Sequence, residues 1–328
     1  MIVHLTSLGC ARNQIDSEIM LGRLNQVGAL FTDTPGDAEV IIVNTCSFIE
    51  SAADESIDTI LELAAHKNEG RCRRLIVTGC LPERYRQEIT RAIPEVDVFL
   101  GTGAFDRIVA AVQGHLDTAK CLLPDPDSLS PSGAGVSRER SNRWMAYVKI
   151  AEGCSRQCTY CIIPRLRGRR KSRSIEDVVA ESRQLIQTGV RELVLVSQET
   201  TAYGKDLKPP ADLARLLTAL AALPDGSGTD AFWIRFLYGH PQSIDDRLMN
   251  AVAQNANICS YFDIPIQHAS RSILKKMGRR YGPDDLRLML ERIRRLMPEA
   301  ALRTTVIVGF PGETDADFDE LLSFVESE

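Results

Sequence analysis

Met145-Ala-Tyr-Val-Lys-Ile150-Ala-Glu-Gly153-Cys154-Ser-Arg-Gln-Cys158-Thr-Tyr-Cys161 runs an apolar strand straight into a loop that carries three cysteines. The spacing C-x-x-x-C-x-x-C supplies three thiolates and no fourth. An iron–sulfur cluster normally takes four cysteine ligands, so three leave one iron open. An open coordination position marks chemistry where a closed one marks scaffolding. A zinc knuckle is the plainer alternative, but structural zinc favours paired C-x-x-C units. No second pair and no nearby histidine follows Cys161, so iron is the better reading.

Downstream of the loop, strands and helices alternate. Ser174 to Thr188 reads as a helix capped by Ser174, with Asp177 three residues on. Glu192–Ser197, Trp233–Tyr238, Tyr261–Pro265 and Leu302–Val308 read as strands with helices between them. With the first strand, Met145 to Ile150, this makes five β/α repeats, the pattern of an incomplete (β/α) barrel. Such barrels gather their sites at the carboxyl ends of the strands. The cysteine loop, Gln198, Gln267, His268 and Gly309 all fall there. Gln198, Gln267 and Gly309 are candidate cofactor-pocket residues, with turn and packing roles as the equal alternative. His268 fits no metal spacing and reads as a structural hydrogen-bond partner. Glu313 and Thr314 suit the start of the last helix, where acidic groups favour the dipole.

The amino-terminal part repeats the alternation. Strands at residues 2–8, 39–44, 74–78 and 96–100 alternate with helices at about 16–27, 52–65, 82–92 and 105–112. This implies right-handed crossovers and a parallel sheet. Cys10, Cys46 and Cys80 end the first three strands. Ligands bind at the carboxyl rim of such a sheet, so the three thiolates are placed to meet at one metal centre. Glycines 9, 79 and 153 precede three of the six cysteines and let backbone approach a bulky group closely. The alternative is three unrelated core cysteines. Cys72, Cys121 and Cys259 have no partner at ligand spacing and read as incidental.

The fold class is therefore α/β: a parallel-sheet domain over 1–114, a Pro-, Ser- and Gly-rich linker over 115–143, and a barrel domain over 144–328. The chain stops inside a helix, which reads as a truncation. Nine cysteines, a net charge of −5 and 44% hydrophobic residues fit a reducing compartment and give no global basic field. Neither a membrane span nor a secretory signal is evident, so a cytoplasmic location and no membrane partner are expected. The run Arg165-Leu-Arg-Gly-Arg-Arg-Lys-Ser-Arg173 could bind phosphate or carboxylate; its plainest reading is a solvated loop.

The motif Cys154-Ser-Arg-Gln-Cys158-Thr-Tyr-Cys161, with its aromatic before the last cysteine, resembles the radical S-adenosylmethionine (SAM) signature. Joined to cysteines at three amino-terminal strand ends, the chain resembles the methylthiotransferases along nearly its whole length. Ser7-Leu-Gly-Cys10-Ala-Arg-Asn13, Asp16-Ser-Glu18, Ser197-Gln-Glu-Thr-Thr-Ala-Tyr-Gly204 and Asp263-Ile-Pro-Ile-Gln-His-Ala-Ser270 look like the branch that modifies an aspartate on small-subunit ribosomal protein twelve. Val308-Gly-Phe-Pro-Gly-Glu-Thr314 is common to both branches. The transfer RNA branch usually has Gln-Ser-Gly-Ser at Gln267–Ser270, so a transfer RNA substrate is disfavoured.

The resemblance implies two 4Fe-4S clusters, one on Cys154, Cys158 and Cys161 and one on Cys10, Cys46 and Cys80. It implies SAM as cofactor, a ribosomal-protein substrate, a reducing electron donor and a sulfur donor. It assigns no acid–base catalytic residue. The family's sixth barrel strand and carboxyl-terminal TRAM β-domain are not found in these 328 residues. The rivals are a transfer RNA adenosine methylthiotransferase and a non-catalytic iron–sulfur or zinc module.

Overall fold

The structure, a computed structural model, describes residues 1–116, 120–128, 137–224 and 232–328. Its residues fall into two compact units. The first is drawn from Met1–Ser130, Gly135–Ser141 and Ile162–Arg169; the second from Asn142–Cys161 and Arg170–Glu328.

The first unit is a parallel sheet in the order β2-β1-β3-β4-β5-β6. Its strands are β1 (Ile2–Ser7), β2 (Leu30–Phe31), β3 (Val40–Thr45), β4 (Arg74–Gly79), β5 (Val98–Leu100) and β6 (Cys121–Leu122). Every residue of β3 is buried, as expected for a central strand covered on both faces. Successive side chains point to opposite faces. Ile41 and Val43 accordingly join Ala53, Ile60 and Leu63 of the helix Glu50–Ala64. Val40 and Ile42 join Met20 and Leu24 of the helix Ala11–Gln26, with Ile108 and Ala111 of the helix Ile108–Gln113.

The first unit differs from the sequence reading in several places, β2 among them. The predicted linker is partly structured: Cys121 pairs with Phe99 and adds a strand to the sheet. Arg138 and Ser141 bind Glu18 at 2.6 and 3.0 Å. Residues 117–119 and 129–136 of that linker lie outside the described residues. The helix expected at 82–92 is instead Cys80–Tyr85, a 3-10 turn Arg86–Glu88 and Ile89–Ala92; Arg86 has φ of +50° there, a left-handed kink that stops the first helix.

In the second unit, β7 (Met145–Lys149), β10 (Glu192–Val196) and β11 (Trp233–Phe236) form one parallel set, and β12 (Tyr261–Asp263) and β13 (Ala301–Arg303) another. A parallel bridge joins Ile234 within β11 to Ile258 ahead of β12, and a second joins Gln267 to Val306. The short antiparallel pair β8 (Ala151–Glu152) and β9 (Lys171–Ser172) brackets the cysteine loop and the following segment. Alternate residues Ala146, Val148, Leu193, Leu195, Ile234 and Phe236 pack outward with Val178, Leu216, Leu217 and Leu248 from the covering helices. Ser174 caps the helix Ile175–Gln187 by accepting from Asp177 N, as its sequence predicts. Thr314 does the same for the helix Asp315–Ser327. The last strand is shorter than the 302–308 expected, because after Arg303 only the Val306 bridge continues the pairing.

Two candidate metal centres

In the first unit, Cys46 and Cys80 directly follow β3 and β4, and Cys10 follows β1 after Leu8 and Gly9; the three strands are neighbours in the sheet. Parallel strands put all three on one rim, with adjacent strands about 4.8 Å apart. Gly9 makes the approach possible. A Cβ built there would sit 2.8 Å from Cys46 Cβ and 3.2 Å from its Sγ. Polar side chains hold the rim from beneath. Asn13 Nδ2 donates to Leu8 O at 3.1 Å and Thr45 O at 2.8 Å. Asn44 Nδ2 donates to Asn13 O and Ser17 Oγ. Ser56 Oγ receives Cys46 N–H at 3.1 Å and donates to Cys46 O at 2.7 Å.

The electrostatics favour thiolates here. Burial works against ionisation of Cys10, but the Arg12 and Arg167 guanidiniums outweigh it and bring its pKa below the ordinary thiol value. Cys10 also caps a helix amino terminus, where a thiolate is stabilised. Burial pushes Cys80 up; Arg167 opposes this, and the charges of Cys10 and Cys46 add to the rise. The three sulfurs are thus near enough to influence one another.

In the second unit, Cys154, Cys158 and Cys161 follow β8. Burial pushes the Cys154 thiol up to about 11, with Arg156 N–H opposing it and Glu199, Cys161 and Cys158 adding to it. The loop is pinned at several points. Arg156 grips Glu199 with two bonds, Nη2 to Oε1 at 2.6 Å and Nε to Oε2 at 3.0 Å. Thr159 N donates to Met277 O and its Oγ1 to Lys276 O. Tyr160 OH accepts from Arg279 Nη2 at 2.7 Å, and its ring meets Phe310 edge-on.

No disulfide joins any of the nine cysteines, all of which are among the described residues. Among the described residues no three His, Cys, Asp or Glu side chains close tightly enough to grip a single ion. The charges of Cys10 and Cys46 nevertheless raise the Cys80 thiol, and those of Cys161 and Cys158 raise that of Cys154, each in addition to burial. Cys72 and Cys121 are buried in the first unit's hydrophobic core, in line with incidental roles.

The other predicted residues are placed as follows. Gln198 Nε2 donates to Glu152 Oε1 at 2.6 Å, and its Oε1 is buried without a hydrogen-bond partner. Gln267 is 9% exposed and adopts φ of +70°, with its backbone bonded to Thr305 and Ile307. Gly309 has φ of +76° and open space above its Cα. His268 Nδ1 accepts from Ser270 N at 2.9 Å, a structural role as expected. A cavity of about 130 Å³ is lined by Ile264, Leu290, Leu302 and Phe324 among others, and none of the candidate residues lines it.

The arginine run is only partly solvated: Arg165 and Arg169 are exposed, but two others are buried. Arg167 is 2% and Arg173 4% exposed. Arg173 pairs with Asp177 and Glu181 and donates to Lys149 O. Arg167 lies against Cys80 and Asn13. A charge run looks solvated until opposite charges and thiolates are known to surround it. Arg156, Glu199 and Asn13 were likewise missed. Asn13, three residues after Cys10, is the only one with a sequence signal, a polar group in the first turn after the cysteine.

Comparison with known proteins accords with this geometry. Residues 2–101 match the family described as Uncharacterized protein family UPF0004, and residues 148–325 match the Radical SAM superfamily. Ribosomal protein uS12 methylthiotransferase RimO of Desulfosudis oleivorans is 54% identical over 99% of this chain and 73% of its own length. That of Geobacter sulfurreducens is 47% identical over 99% and 72%. Among solved structures, the radical SAM methyltransferase TsrM from Kitasatospora setae, with cobalamin and a [4Fe-4S] cluster bound, aligns with a TM-score of 0.67 at 17% identity, over 99% of this chain and 73% of that one. That likeness concerns the fold alone. No helix among the described residues is long and apolar enough to cross a membrane. With the domain matches and the identity over almost its full length, the chain belongs to the RimO family of ribosomal protein uS12 methylthiotransferases, within the radical SAM superfamily.

Proposed function

We propose that this chain adds a methylthio group to the β-carbon of an aspartate on ribosomal protein uS12. The observation that carries the reading is the pair of three-cysteine sites, one per unit, in a chain 54% identical to a uS12 methylthiotransferase. Cys154, Cys158 and Cys161 hold one 4Fe-4S cluster with SAM, and Cys10, Cys46 and Cys80 hold a second. Residues 1–114 then form the domain of the second cluster and 144–328 the radical domain. A reducing partner supplies electrons and a sulfur donor supplies sulfur.

The residues fit these groups. Three thiolates on a sheet rim, approached through Gly9, suit a cluster with one open iron. Gln198 Oε1, buried and unpartnered, is an acceptor in want of a donor such as the amino group of SAM, since an unmade buried bond costs about 1–3 kcal/mol. Gln267 and Gly309 complete that pocket, Gly309 by leaving room over its backbone. The bound cluster and SAM together supply a radical able to take hydrogen from an unactivated carbon, which no side-chain base removes usefully at neutral pH. The protein's own part is positioning and exclusion of water. Arg156 and Glu199 fix the cysteine loop, and Arg279 fixes Tyr160 within it.

The test is anaerobic reconstitution with iron and sulfide, followed by SAM, reductant and either uS12 or transfer RNA, read by mass spectrometry. A methylthio gain on the uS12 aspartate is expected. A gain on transfer RNA alone would refute the substrate, and SAM cleavage with neither product would refute the acceptor class.

A further inference from the structure

Arg167 is one of the largest side chains buried in the molecule, at 2% exposed. It ends the helix Ile163–Arg167, six residues past Cys161, where the chain belongs to the first unit. That helix is held by Thr102, whose Oγ1 donates to Leu166 O at 2.8 Å. The guanidinium reaches the cysteine rim. Nη2 donates to Asn13 Oδ1 at 2.6 Å and to Cys80 Sγ at 3.7 Å, and Nη1 lies 3.5 Å from Asp16 Oδ2. Asn13 Oδ1 in turn accepts from Cys10 Sγ at 3.9 Å.

Burying such a cation costs several kcal/mol, and a lone ion pair often repays less than an apolar replacement would. The Asn13 amide that also touches Cys10 lies closer to Nη2, at 2.6 Å, than Asp16 Oδ2 does to Nη1, at 3.5 Å. The charge is aimed at sulfur. We propose that Arg167 is a positioning residue of the Cys10–Cys46–Cys80 centre: it donates to the Cys80 sulfur and, by its charge, makes that centre easier to reduce. Reduction adds negative charge to a cluster, and N–H donors to its sulfurs together with its net charge set its potential. The proposal rests on the cluster-ligand assignment above.

The experiment is a redox titration followed by electron paramagnetic resonance. It uses the full chain, reconstituted, with Cys154, Cys158 and Cys161 replaced by alanine so that only the first centre loads. Arg167→Gln should lower the reduced-to-oxidised ratio at fixed poise about tenfold, a midpoint about 59 mV more negative for one electron. Arg167→Lys, which keeps the charge, should recover most of the shift. An unmoved midpoint in a folded, iron-loaded Arg167→Gln chain overturns the proposal. Should Arg167→Gln fail to fold or load, Asp16→Asn decides: it frees Arg167 from its carboxylate, so the midpoint must rise, and an unmoved or lower one overturns the proposal. Full iron binding after replacement of Cys10, Cys46 and Cys80 in the parent would overturn the proposal too, but through the ligand assignment and not through Arg167.

Discussion

Replacing Gly79 by alanine should cripple the first centre while leaving the second intact. Gly79 ends β4 directly before Cys80, with φ of +97° and ψ of −147°, a region open almost only to glycine and costing other residues about 1–3 kcal/mol. A Cβ there would lie 2.5 Å from Thr45 O, 2.9 Å from Thr45 N and 2.5 Å from Asn44 Oδ1. Two of these are backbone atoms of β3, paired with Gly79 in register, and cannot swing aside. Overpacking of this kind adds about 1–3 kcal/mol. The two costs together come to about 2–6 kcal/mol, a large share of the roughly 5–15 kcal/mol that stabilises a domain. Gly28→Ala is the control. Its φ is +78° with nothing within 4 Å of the new methyl, so it should cost only about 1–2 kcal/mol. Because the chain has two units, a single melt does not isolate the effect. Hydrogen exchange of the Val43 and Val77 amides reads β3 and β4 directly. Iron content should fall only at the first centre. A Gly79→Ala chain within 1 kcal/mol of Gly28→Ala on this measure would refute the argument from close packing.

Three further outcomes follow from the electrostatics and caps. Burial raises Glu83 from 4.5 to about 7, with Arg86 partly opposing it. A raised carboxyl stabilises fully below pH 4.5 and loses that contribution as pH rises through 7. Glu83→Gln should therefore be neutral near pH 4.5 and up to about 3 kcal/mol more stable near pH 8; an unchanged pH slope in denaturant titrations would refute this. Glu199→Gln breaks the two-bond grip on Arg156 and should cost about 1–3 kcal/mol locally. It should slow iron loading at the second centre and not at the first, as followed by absorbance. Ser174→Ala removes the cap on Asp177 N and should cost about 1 kcal/mol in thermal unfolding, with no effect on iron content.

The sheet and its cysteine rim were legible because local signals agreed with tertiary ones. The apolar run Val40-Ile-Ile-Val43 could only be a strand buried on both faces, and its end fixed Cys46. Ser174 announced its helix by its cap with Asp177, and Glu313 and Thr314 suited a helix start through the dipole. What escaped depended on partners distant in sequence. The strands Leu30–Phe31 and Cys121–Leu122 are two residues each, too short for any period; pairing with Met1–Val3 and Phe99–Leu100 creates them. Arg167 and Arg173 read as solvated because nothing in the run Arg165–Arg173 reveals that Asp16, Cys80 and Glu181 will enclose them. The Arg156–Glu199 pair joins residues on two different strand ends and has no spacing to detect.

The central claim is that two separate three-cysteine centres share one reaction. Cys10→Ala in the reconstituted chain tests it most directly, with SAM cleavage and methylthiolation of uS12 followed together by mass spectrometry. The account predicts that SAM cleavage persists while methylthiolation is lost. Full methylthiolation of the uS12 aspartate by the Cys10→Ala chain would contradict it.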